Sequence, residues 1–363
     1  MKTRKVLEDF DAYGWETPTR EIATEVGLEP EQIVRLDTNT SPYRPDAAMR
    51  TLARLLPKVG VNDYPDTSYH GLAEGISRYT GKGLDRLVVT NGADEGLDIT
   101  TKVFVDQGDE VIIPTPTYSM YRIGAQLMGA KVKAVPRGPD FELQADKVLE
   151  AVGPRTSLIF LCNPNNPTGN YSPIEEVERI VRESGVGVLL DEAYFEMCGK
   201  TAIDLTDKYE NLIVCRTMSK AFSMAGVRVG YLVAKARTVE VLNKVRPPNS
   251  LSVLSVILGE AGFSHLDEMR RHVRATVRER GRLFVELRKM KGRLTAFPSE
   301  TNFILIRPEG ARADDVQKRL MKKGLVLRNL SKVRGAENCL RCTVGSAETN
   351  ARLVTELKEI LGA

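Results

Sequence analysis

A chain of 363 residues is longer than one ordinary hydrophobic core supports, so its length favours two domains. Apolar residues make up 42% of the chain and charged residues 28%, a composition that is typical of a globular protein and argues against disorder. The 52 Lys and Arg residues are nearly balanced by 48 Asp and Glu residues. The resulting net charge of +4 gives little attraction to nucleic acid or to an anionic membrane.

The sequence also restricts the compartment in which the protein works. No apolar stretch approaches the roughly 20 residues that cross a bilayer, and the N-terminus lacks the apolar core of a signal peptide. Five cysteines fit a reducing compartment, so we expect a cytoplasmic protein. Cys339 and Cys342 form a CxxC pair, but no second pair or nearby His completes a metal site, and no metal is expected.

Strand and helix patterns alternate over the first two thirds of the chain. Short apolar or β-branched runs predict strands at Leu87–Thr90, Glu110–Pro114, Lys131–Val135, Ser157–Cys162, Val186–Leu190, Leu212–Cys215 and Val227–Val233. Helical patterns lie between them at Gly96–Phe104, Tyr121–Met128 and Pro173–Ser184. This alternation predicts an α/β fold with a mostly parallel sheet covered on both faces, whose ligands bind beyond the carboxyl ends of the strands.

The pattern changes after residue 245. Pro247 and Pro248 precede one long predicted helix from about Ser250 to Lys289. Strand-like runs follow at Thr301–Ile306, Leu325–Arg328 and Leu340–Val344. We interpret residues 1–45 as an arm that contributes to a smaller domain, residues 46–245 as a large domain, and residues 246–363 as the smaller C-terminal domain.

Thr217, Ser219 and Lys220 stand together directly after the predicted strand Leu212–Cys215. A lone Lys is ordinarily a surface residue, but here two hydroxyls accompany it at a strand end. Those hydroxyls can bind a phosphate dianion, and Arg228 can add a charge-assisted bond to the same group. Because a desolvated lysine amine has a lowered pKa and can form a Schiff base, the cluster predicts a carbonyl cofactor that carries a phosphate.

Other candidate residues lie in turns that follow predicted strands. Asp191, in DEAY, can pair with a pyridinium nitrogen, although a helix N-cap is the default for an isolated Asp. The rigid turn NPNNPTG, residues 163–169, offers an amide to a phenolic oxygen, although many such turns are only structural. NGADEG, residues 91–96, points backbone amides at an anion placed at a helix start. Tyr118 can stack on a flat ring or belong to the core.

In this order, the motifs NGADE, PTPTYSMY, NPNNPTG, DEAY, TMSKAF and VRVGY resemble those of the class I and II aminotransferases, pyridoxal-phosphate enzymes of fold type I. The resemblance runs from about Tyr13 to Leu361. Its wording is closest to the histidinol-phosphate aminotransferase branch, through PTPTYSMY, RPPNSLS and the spacing of LRN near 328 and LRCTVGS near 341. It implies a large domain with a mostly parallel seven-stranded sheet, a smaller α/β domain and pyridoxal 5'-phosphate as cofactor.

The resemblance also implies a role for each matching residue. Lys220 carries the cofactor and moves a proton at the substrate Cα, Asp191 pairs with the pyridine nitrogen, and Tyr194 and Asn166 bond the ring hydroxyl. Tyr64 reaches the cofactor phosphate of a neighbouring subunit, which requires a homodimer with shared active sites. The other residues implied to bind the cofactor are Ala93, Asp94, Tyr118, Thr217, Ser219 and Arg228.

An aminotransferase accepts two different substrates in one site. The resemblance assigns Arg341 to the substrate's anionic end, and Arg328 is a second candidate because guanidinium suits both phosphate and carboxylate. A surface salt bridge is the alternative for Arg328. Tyr13 aligns with a family tyrosine near the substrate phosphate, and Asn39 begins the NTSP that replaces the NENP of many relatives.

The resemblance leads to one preferred function and several alternatives. The preferred reaction converts L-histidinol phosphate and 2-oxoglutarate to imidazole-acetol phosphate and L-glutamate, a step of histidine biosynthesis. An aromatic or broad-specificity amino acid aminotransferase is the first alternative, and an enzyme like threonine-phosphate decarboxylase is the second. A transcription regulator with an aminotransferase-like domain is a third, but the matching scaffold begins too early to leave room for a helix-turn-helix module.

Overall fold

Two β-sheets organise the chain, which the computed structural model describes over residues 1–8, 10 and 12–362. The strands, in chain order, are β1 (Val34–Leu36), β2 (Leu87–Thr90), β3 (Glu110–Thr115), β4 (Lys131–Pro136), β5 (Thr156–Cys162), β6 (Gly187–Asp191), β7 (Leu212–Thr217), β8 (Gly230–Val233), β9 (Leu294–Ala296), β10 (Phe303–Pro308), β11 (Leu325–Asn329) and β12 (Leu340–Thr343). The α-helices are α1 (Thr19–Val26), α2 (Asp46–Leu55), α3 (His70–Thr80), α4 (Gly92–Phe104), α5 (Ser119–Leu127), α6 (Ala145–Glu150), α7 (Ile174–Ser184), α8 (Phe195–Cys198), α9 (Leu205–Lys208), α10 (Ala236–Asn243), α11 (Val253–Ser264), α12 (Leu266–Arg288), α13 (Ala313–Lys322) and α14 (Ala347–Leu361). Short 3₁₀-helices lie at Lys5–Leu7, Pro30–Gln32, Leu56–Lys58, Leu84–Arg86 and Ala225–Val227.

The larger sheet has seven strands in the order β2-β8-β7-β6-β5-β3-β4. Neighbouring strands from β7 to β4 are parallel, whereas β8 runs antiparallel to both β2 and β7. Val188 and Leu190 of β6 lie in a core cluster that includes residues of α7, and Leu189 lies in another that includes residues of α4 and α10. The predicted mostly parallel sheet with helices on both faces is therefore confirmed.

The smaller sheet has five strands in the order β1-β11-β12-β10-β9. β1 pairs in parallel with β11, and the other pairs are antiparallel. Leu36 of β1 shares a core cluster with Leu283 of α12, Leu320 of α13 and Leu357 of α14. The N-terminal and C-terminal parts of the chain thus meet in one sheet, while the domain boundaries near residues 45 and 245 stay a prediction.

The single long helix predicted from Ser250 to Lys289 is wrong. α11 and α12 are separate helices that meet at His265, whose backbone leaves the helical region at φ −122° and ψ 42°. α11 packs against α2 and α3, whereas α12 places Met269 in the core of the larger sheet and Leu283 and Leu287 in the core of the smaller one. After the bend at His265, α12 therefore extends from the core of the larger sheet to the core of the smaller one.

Strand β8 is shorter than the predicted run Val227–Val233. The chain first forms the 3₁₀-helix Ala225–Val227, and Arg228 then adopts a left-handed backbone with φ 57°. In residues 12–362, no helix combines the length and the apolarity that crossing a bilayer requires.

Candidate active site

A cavity of about 290 Å³ lies beyond the carboxyl ends of β5, β6 and β7, whose last residues Cys162, Asp191 and Thr217 all line it. This is the edge of the sheet at which the sequence predicted a ligand site. The residues of the predicted site that line the cavity are Tyr13, Asn39, Ala93, Asp94, Tyr118, Asn166, Asp191, Tyr194, Thr217, Ser219, Lys220, Arg228 and Arg341. Tyr64 and Arg328 do not line it.

Lys220 lies in the turn that follows β7. Its Nζ donates a 3.5 Å hydrogen bond to the carbonyl of Thr38 and lies 5.9 Å from the centroid of the Tyr194 ring. Burial, and next the positive charge of Arg341, lower the pKa of the Lys220 amine to about 8. A substantial fraction of this amine is therefore neutral and nucleophilic near physiological pH.

Two hydroxyls and a guanidinium lie together beside Lys220. Thr217 donates to the Ser219 hydroxyl oxygen at 2.9 Å, and Arg228 donates to the same oxygen at 3.4 Å. The other terminal nitrogen of Arg228 lies 3.3 Å from the Asp94 carboxylate. The left-handed backbone of Arg228 turns the chain at this point, so the guanidinium and the strand-end hydroxyls are adjacent.

The start of α4 completes this group of donors. The helix begins at Gly92, whose φ of +72° suits a residue without a Cβ. A Cβ at Gly230 of β8 would lie 2.5 Å from the carbonyl carbon of Gly92, so a glycine is required there too. The close approach brings the amides of Ala93 and Asp94, at the positive end of a 13-residue helix, to the hydroxyls and guanidinium. These donors suit a phosphate dianion.

Asp191 is the last residue of β6 and not a helix N-cap, which removes the alternative left open by the sequence. Its two carboxylate oxygens accept hydrogen bonds from the Tyr121 hydroxyl at 2.7 Å and from the amide of Ala193 at 2.9 Å. Burial raises the pKa of Asp191 to about 6, against the opposing effect of these donors. A buried acid of this kind suits a partner that carries an N–H, such as a pyridinium.

Tyr194, Asn39 and Asn166 lie between the two sheets at the cavity. The Asn39 amide donates to the Tyr194 hydroxyl at 3.0 Å, and Arg341 donates to the Asn166 side-chain oxygen at 2.7 Å. Burial raises the pKa of Tyr194, while Arg341 opposes that rise. Tyr118 precedes α5, and its hydroxyl donates to Asp94 at 3.0 Å.

Arg341 of β12 is a half-buried cation without an acidic partner in the described part of the chain. Besides the bond to Asn166, it donates at 2.6 Å to the backbone carbonyl of Asp37, and its buried Nε has no hydrogen-bond partner. Burial lowers the pKa of Arg341. A cation held in this way is prepared to bind an anion that enters the cavity.

Arg328 lies directly opposite Arg341 in the register of β11 and β12. Instead of lining the cavity, it forms a 3.1 Å ion pair with Glu16, and Tyr13 donates a 2.9 Å hydrogen bond to the same Glu16 oxygen. Arg328 also donates to the carbonyl of Gly14 at 3.2 Å. Glu16 lines the cavity, although no motif predicted it.

Tyr64 lies away from the cavity, with 84% of its surface exposed. Its predicted contact belongs to a second subunit, so its place in one chain neither supports nor contradicts that role.

A buried ion pair that no sequence motif predicted lies beside the strand ends that line the cavity. Arg216 of β7 donates to one Glu192 oxygen from two nitrogens, at 3.0 and 2.8 Å, and its guanidinium lies 3.6 Å from the centroid of the Phe195 ring. Thr201 and the amide of Ala202 also donate to Glu192. Because Glu192 follows Asp191 and Arg216 precedes Thr217, the pair ties together the two strand ends that carry the predicted catalytic residues.

The side chains that line the cavity match the groups of pyridoxal 5'-phosphate. Such a cofactor needs an amine, an acid for its ring nitrogen and donors for its phosphate. The amine of Lys220, the buried acid Asp191 and the group formed by Thr217, Ser219 and Arg228 meet these needs within one cavity. The residues present therefore fit the cofactor.

Comparison with known proteins agrees with this chemistry. Residues 31–357 match the family of class I and II aminotransferases. The chain is 38% identical, over 329 residues, to a histidinol-phosphate aminotransferase of Caldanaerobacter subterraneus, covering 90% of this chain and 93% of the relative. It is 35% identical over 354 residues to a histidinol-phosphate aminotransferase of Methanosarcina mazei, covering 97% and 94%.

Solved structures share the fold. The histidinol-phosphate aminotransferase of Sinorhizobium meliloti in complex with pyridoxal-5'-phosphate superposes with a TM-score of 0.89 at 22% identity, covering 99% of this chain and 98% of that one. The L-threonine-O-3-phosphate decarboxylase of Porphyromonas gingivalis reaches 0.81 at 21% identity, covering 91% and 100%. At these identities the likeness establishes the architecture alone, and the architecture serves more than one chemistry.

Proposed function

Because the chain belongs to the family of class I and II aminotransferases, we propose that it transfers the amino group of L-histidinol phosphate to 2-oxoglutarate, with pyridoxal 5'-phosphate as its cofactor. The products are imidazole-acetol phosphate and L-glutamate. One observation carries this proposal: the Lys220 amine, with its lowered pKa, shares a cavity with Arg341, which has no acidic partner in the described residues. Relatives that bear the name of this activity support the choice of substrate.

The residues that would hold the cofactor divide by the part they bind. Thr217, Ser219 and Arg228, with the helix-start amides, would bind the phosphate. Lys220 would hold the cofactor covalently, and Asp191 would pair with its ring nitrogen. When bound, pyridoxal 5'-phosphate supplies an aldehyde that takes up an amine and a ring that withdraws electrons from the adjacent carbon.

At the other end of the ring, Tyr194 and Asn166 would bond the phenolic oxygen, and Tyr118 would lie against the ring face. The bond from Asn39 to the Tyr194 hydroxyl fixes the direction of that hydroxyl. The packing of the Tyr194 ring against Phe303, with centroids 5.3 Å apart, limits its movement further. Transfer of a group between bound reactants requires that the side chains around them be held in fixed positions, as Tyr194 is here.

Lys220 and Arg341 would act on the substrate. With a pKa of about 8, the Lys220 amine can accept the proton from the substrate Cα and hold it. Arg341 would bind the anionic group nearest to that carbon, which is the phosphate of histidinol phosphate or the α-carboxylate of glutamate. One arginine then serves both halves of the reaction.

We further propose that the enzyme is a cytoplasmic homodimer. The described cysteines are free thiols, four of them buried, and the near balance of charge suits a cytoplasmic enzyme. Tyr64 is a large aromatic residue that is 84% exposed in a single chain. A second subunit that covers Tyr64 would give it the predicted contact with the partner's cofactor phosphate.

The experiment is a half-reaction on purified protein loaded with the cofactor. L-histidinol phosphate, tyrosine, phenylalanine and glutamate are added separately, and loss of the cofactor's visible absorbance is followed by stopped flow. We expect rapid loss with histidinol phosphate and with glutamate, slow loss with the aromatic amino acids, and no release of carbon dioxide. Lys220→Ala is the control that should not react.

Other outcomes would give the site a different function. Reaction with tyrosine and phenylalanine but not with histidinol phosphate would overturn the substrate and favour an aromatic aminotransferase. Release of carbon dioxide from a phosphorylated amino acid, without formation of the amino form of the cofactor, would favour a decarboxylase.

A further inference from the structure

Glu16 occupies a special position at the mouth of the cavity. One of its carboxylate oxygens accepts hydrogen bonds from Tyr13 at 2.9 Å and from Arg328 at 3.1 Å. Glu16 lines both the main cavity and an adjoining cavity that also contains Arg328. Arg328 lines only the adjoining cavity, whereas Glu16 lines both and therefore lies where the two cavities meet.

The two substrates of the proposed function place opposite demands on this region. The reacting amine of each substrate must lie at Lys220, and its nearest anion at Arg341. The remaining arm is a second carboxylate in glutamate and an imidazole ring in histidinol phosphate. The same space must therefore offer a cation to one substrate and a hydrogen-bond acceptor to the other.

We propose that Glu16 is the specificity-determining residue for this remaining arm, an inference that rests on the proposed function. In the observed position its carboxylate accepts a hydrogen bond from the imidazole N–H. When Glu16 swings away from Arg328, the exposed guanidinium binds the second carboxylate of glutamate or 2-oxoglutarate. One residue thus presents two different surfaces to two substrates.

The surroundings of Glu16 allow such a movement. Glu16 and Arg328 keep 29% and 26% of their side chains exposed, and residues 12–18 form no helix or strand. Partly exposed ion pairs are weak, so an incoming carboxylate can replace Glu16 on Arg328. Arg35 and Asp37, the other charged pair lining the adjoining cavity, bind each other at 2.7 Å and do not compete for Glu16 in this arrangement.

Tyr13 would contribute to both positions of the Glu16 side chain. Its ring lies 5.7 Å from the Arg328 guanidinium, and its hydroxyl holds Glu16. Since Tyr13 itself lines the main cavity, the flat ring gives the imidazole a surface to pack against while Glu16 accepts its N–H.

The test uses three ligands without an amino group, so that none can react. They are 3-(imidazol-4-yl)propyl phosphate, 3-phenylpropyl phosphate and glutarate. The phenyl compound keeps the shape and the phosphate but lacks the ring N–H. Dissociation constants are measured by calorimetry on cofactor-loaded wild type and on the variants Glu16→Leu and Arg328→Leu, with Glu25→Leu on the exposed face of α1 as the matched control.

We expect wild type and Glu25→Leu to prefer the imidazole ligand to the phenyl ligand by about tenfold, the size of a hydrogen bond to a charged acceptor. In Glu16→Leu the preference should fall to about twofold or less, while glutarate binds more tightly because its competitor is gone. Arg328→Leu should weaken glutarate by about tenfold and retain the imidazole preference. The ratio of the two phosphates is insensitive to a general loosening of the N-terminal segment, since such loosening affects both ligands.

The outcomes separate this inference from the proposed function. If Glu16→Leu keeps the wild-type ratio, or if wild type shows no preference for the imidazole ligand, the role of Glu16 is overturned while the aminotransferase reaction stands. If wild type binds neither phosphate ligand, both the substrate assignment and the role of Glu16 are overturned.

Discussion

The Tyr121 hydroxyl donates a 2.7 Å hydrogen bond to the Asp191 carboxylate at the buried end of β6. The Tyr121 ring is fully buried and stacks on Phe160 with centroids 5.0 Å apart, so the hydroxyl cannot easily turn away. Burial pushes the pKa of Asp191 up to about 6, and this donor opposes the rise. Tyr121 therefore helps to keep Asp191 ionised, the form that a ring nitrogen bearing a proton needs.

Replacement of Tyr121 by Phe should raise the pKa of Asp191 further, because the ionised form loses a donor while burial persists. The measurement is an infrared titration of the carboxylate band in cofactor-free protein, with the Asp191→Asn spectrum subtracted to isolate this group. Tyr118→Phe is the matched control, since the Tyr118 hydroxyl donates to Asp94 instead. An unchanged Asp191 midpoint in Tyr121→Phe would show that the hydrogen bond does not influence its ionisation.

The buried carboxylate of Asp191 should also cost stability in the cofactor-free protein. Its pKa of about 6 lies above the ordinary value of 3.8, so the folded state holds a proton that the unfolded state releases. Stability therefore falls as pH rises from about 4 to 6, and the full cost persists above that range.

Asp191→Asn should accordingly raise the free energy of unfolding of cofactor-free protein by about 1–3 kcal/mol at pH 7.5. The gain should shrink as pH falls through 6 toward 4, because the native acid then becomes neutral as well. Urea unfolding at several pH values measures it. The same variant should bind the cofactor more weakly, and a variant that is less stable than wild type at pH 7.5 would contradict the argument.

Arg341 should control the nucleophilicity of Lys220. Its positive charge is the second cause, after burial, of the lowered pKa of the Lys220 amine. Arg341→Leu should move this pKa upward from about 8 and so reduce the neutral fraction at pH 7. The measurement is the pH dependence of acylation of Lys220 in cofactor-free protein, followed by mass spectrometry of its peptide. Arg328→Leu should leave the midpoint in place, and equal effects of the two variants would argue against a specific role of Arg341.

The residues of the site are of two kinds, those that local sequence predicts and those that depend on distant contacts. Lys220, Asp191 and Thr217 could be predicted because each follows or ends a strand, and parallel strands bring their carboxyl ends to one edge. Tyr121 and Glu16 were missed, since Asp191 and Arg328, which they contact, are 70 and 312 residues away in the chain.

The break between α11 and α12 and the place of Tyr64 depend on packing that local sequence does not encode. The break at His265 was not predicted because no Pro or Gly stands there, and the new direction is set by packing: α11 lies in the core of the larger sheet, while α12 runs on from that core to the core of the smaller sheet. Tyr64 is 84% exposed in a single chain, since its proposed contact is with a second subunit. Local sequence predicts well which reactive residues lie at the ends of strands. Contacts between distant parts of the chain can be identified only once the fold is known.

Removal of one partner of the buried Glu192–Arg216 pair should be strongly destabilising. Both side chains are at least 96% buried, and Arg216 approaches Glu192 with two nitrogens. Arg216→Met leaves the Glu192 carboxylate without its cation, so we expect a loss of about 3–5 kcal/mol in the free energy of unfolding. Arg216→Met combined with Glu192→Leu should recover part of this loss. Urea unfolding of wild type, Arg216→Met, Glu192→Leu and the double variant gives the coupling energy between the two side chains. Additive effects of the two substitutions would mean that the pair does not act as a unit.

The last prediction concerns the shared active site. Lys220→Ala removes the amine from a subunit, and Tyr64→Ala removes the residue that the subunit is proposed to lend to its partner. Each homodimer should therefore be strongly impaired. In a heterodimer of the two variants, however, the site that keeps Lys220 receives an intact Tyr64 from the other subunit. Mixing and refolding the variants should restore one wild-type site per heterodimer, or about a quarter of wild-type activity when subunits assort randomly.

The matched control is a mixture of Lys220→Ala with the double variant Lys220→Ala/Tyr64→Ala, which can form no complete site. The contact should also be visible without catalysis, because the Tyr64→Ala homodimer should release the cofactor more readily than wild type during dialysis against phosphate. If mixing restores no activity although native mass spectrometry shows heterodimers, Tyr64 acts within its own subunit or not at all. An enzyme that remains monomeric at working concentration would contradict the shared site directly, because an 84% exposed Tyr64 would then have no cofactor within reach.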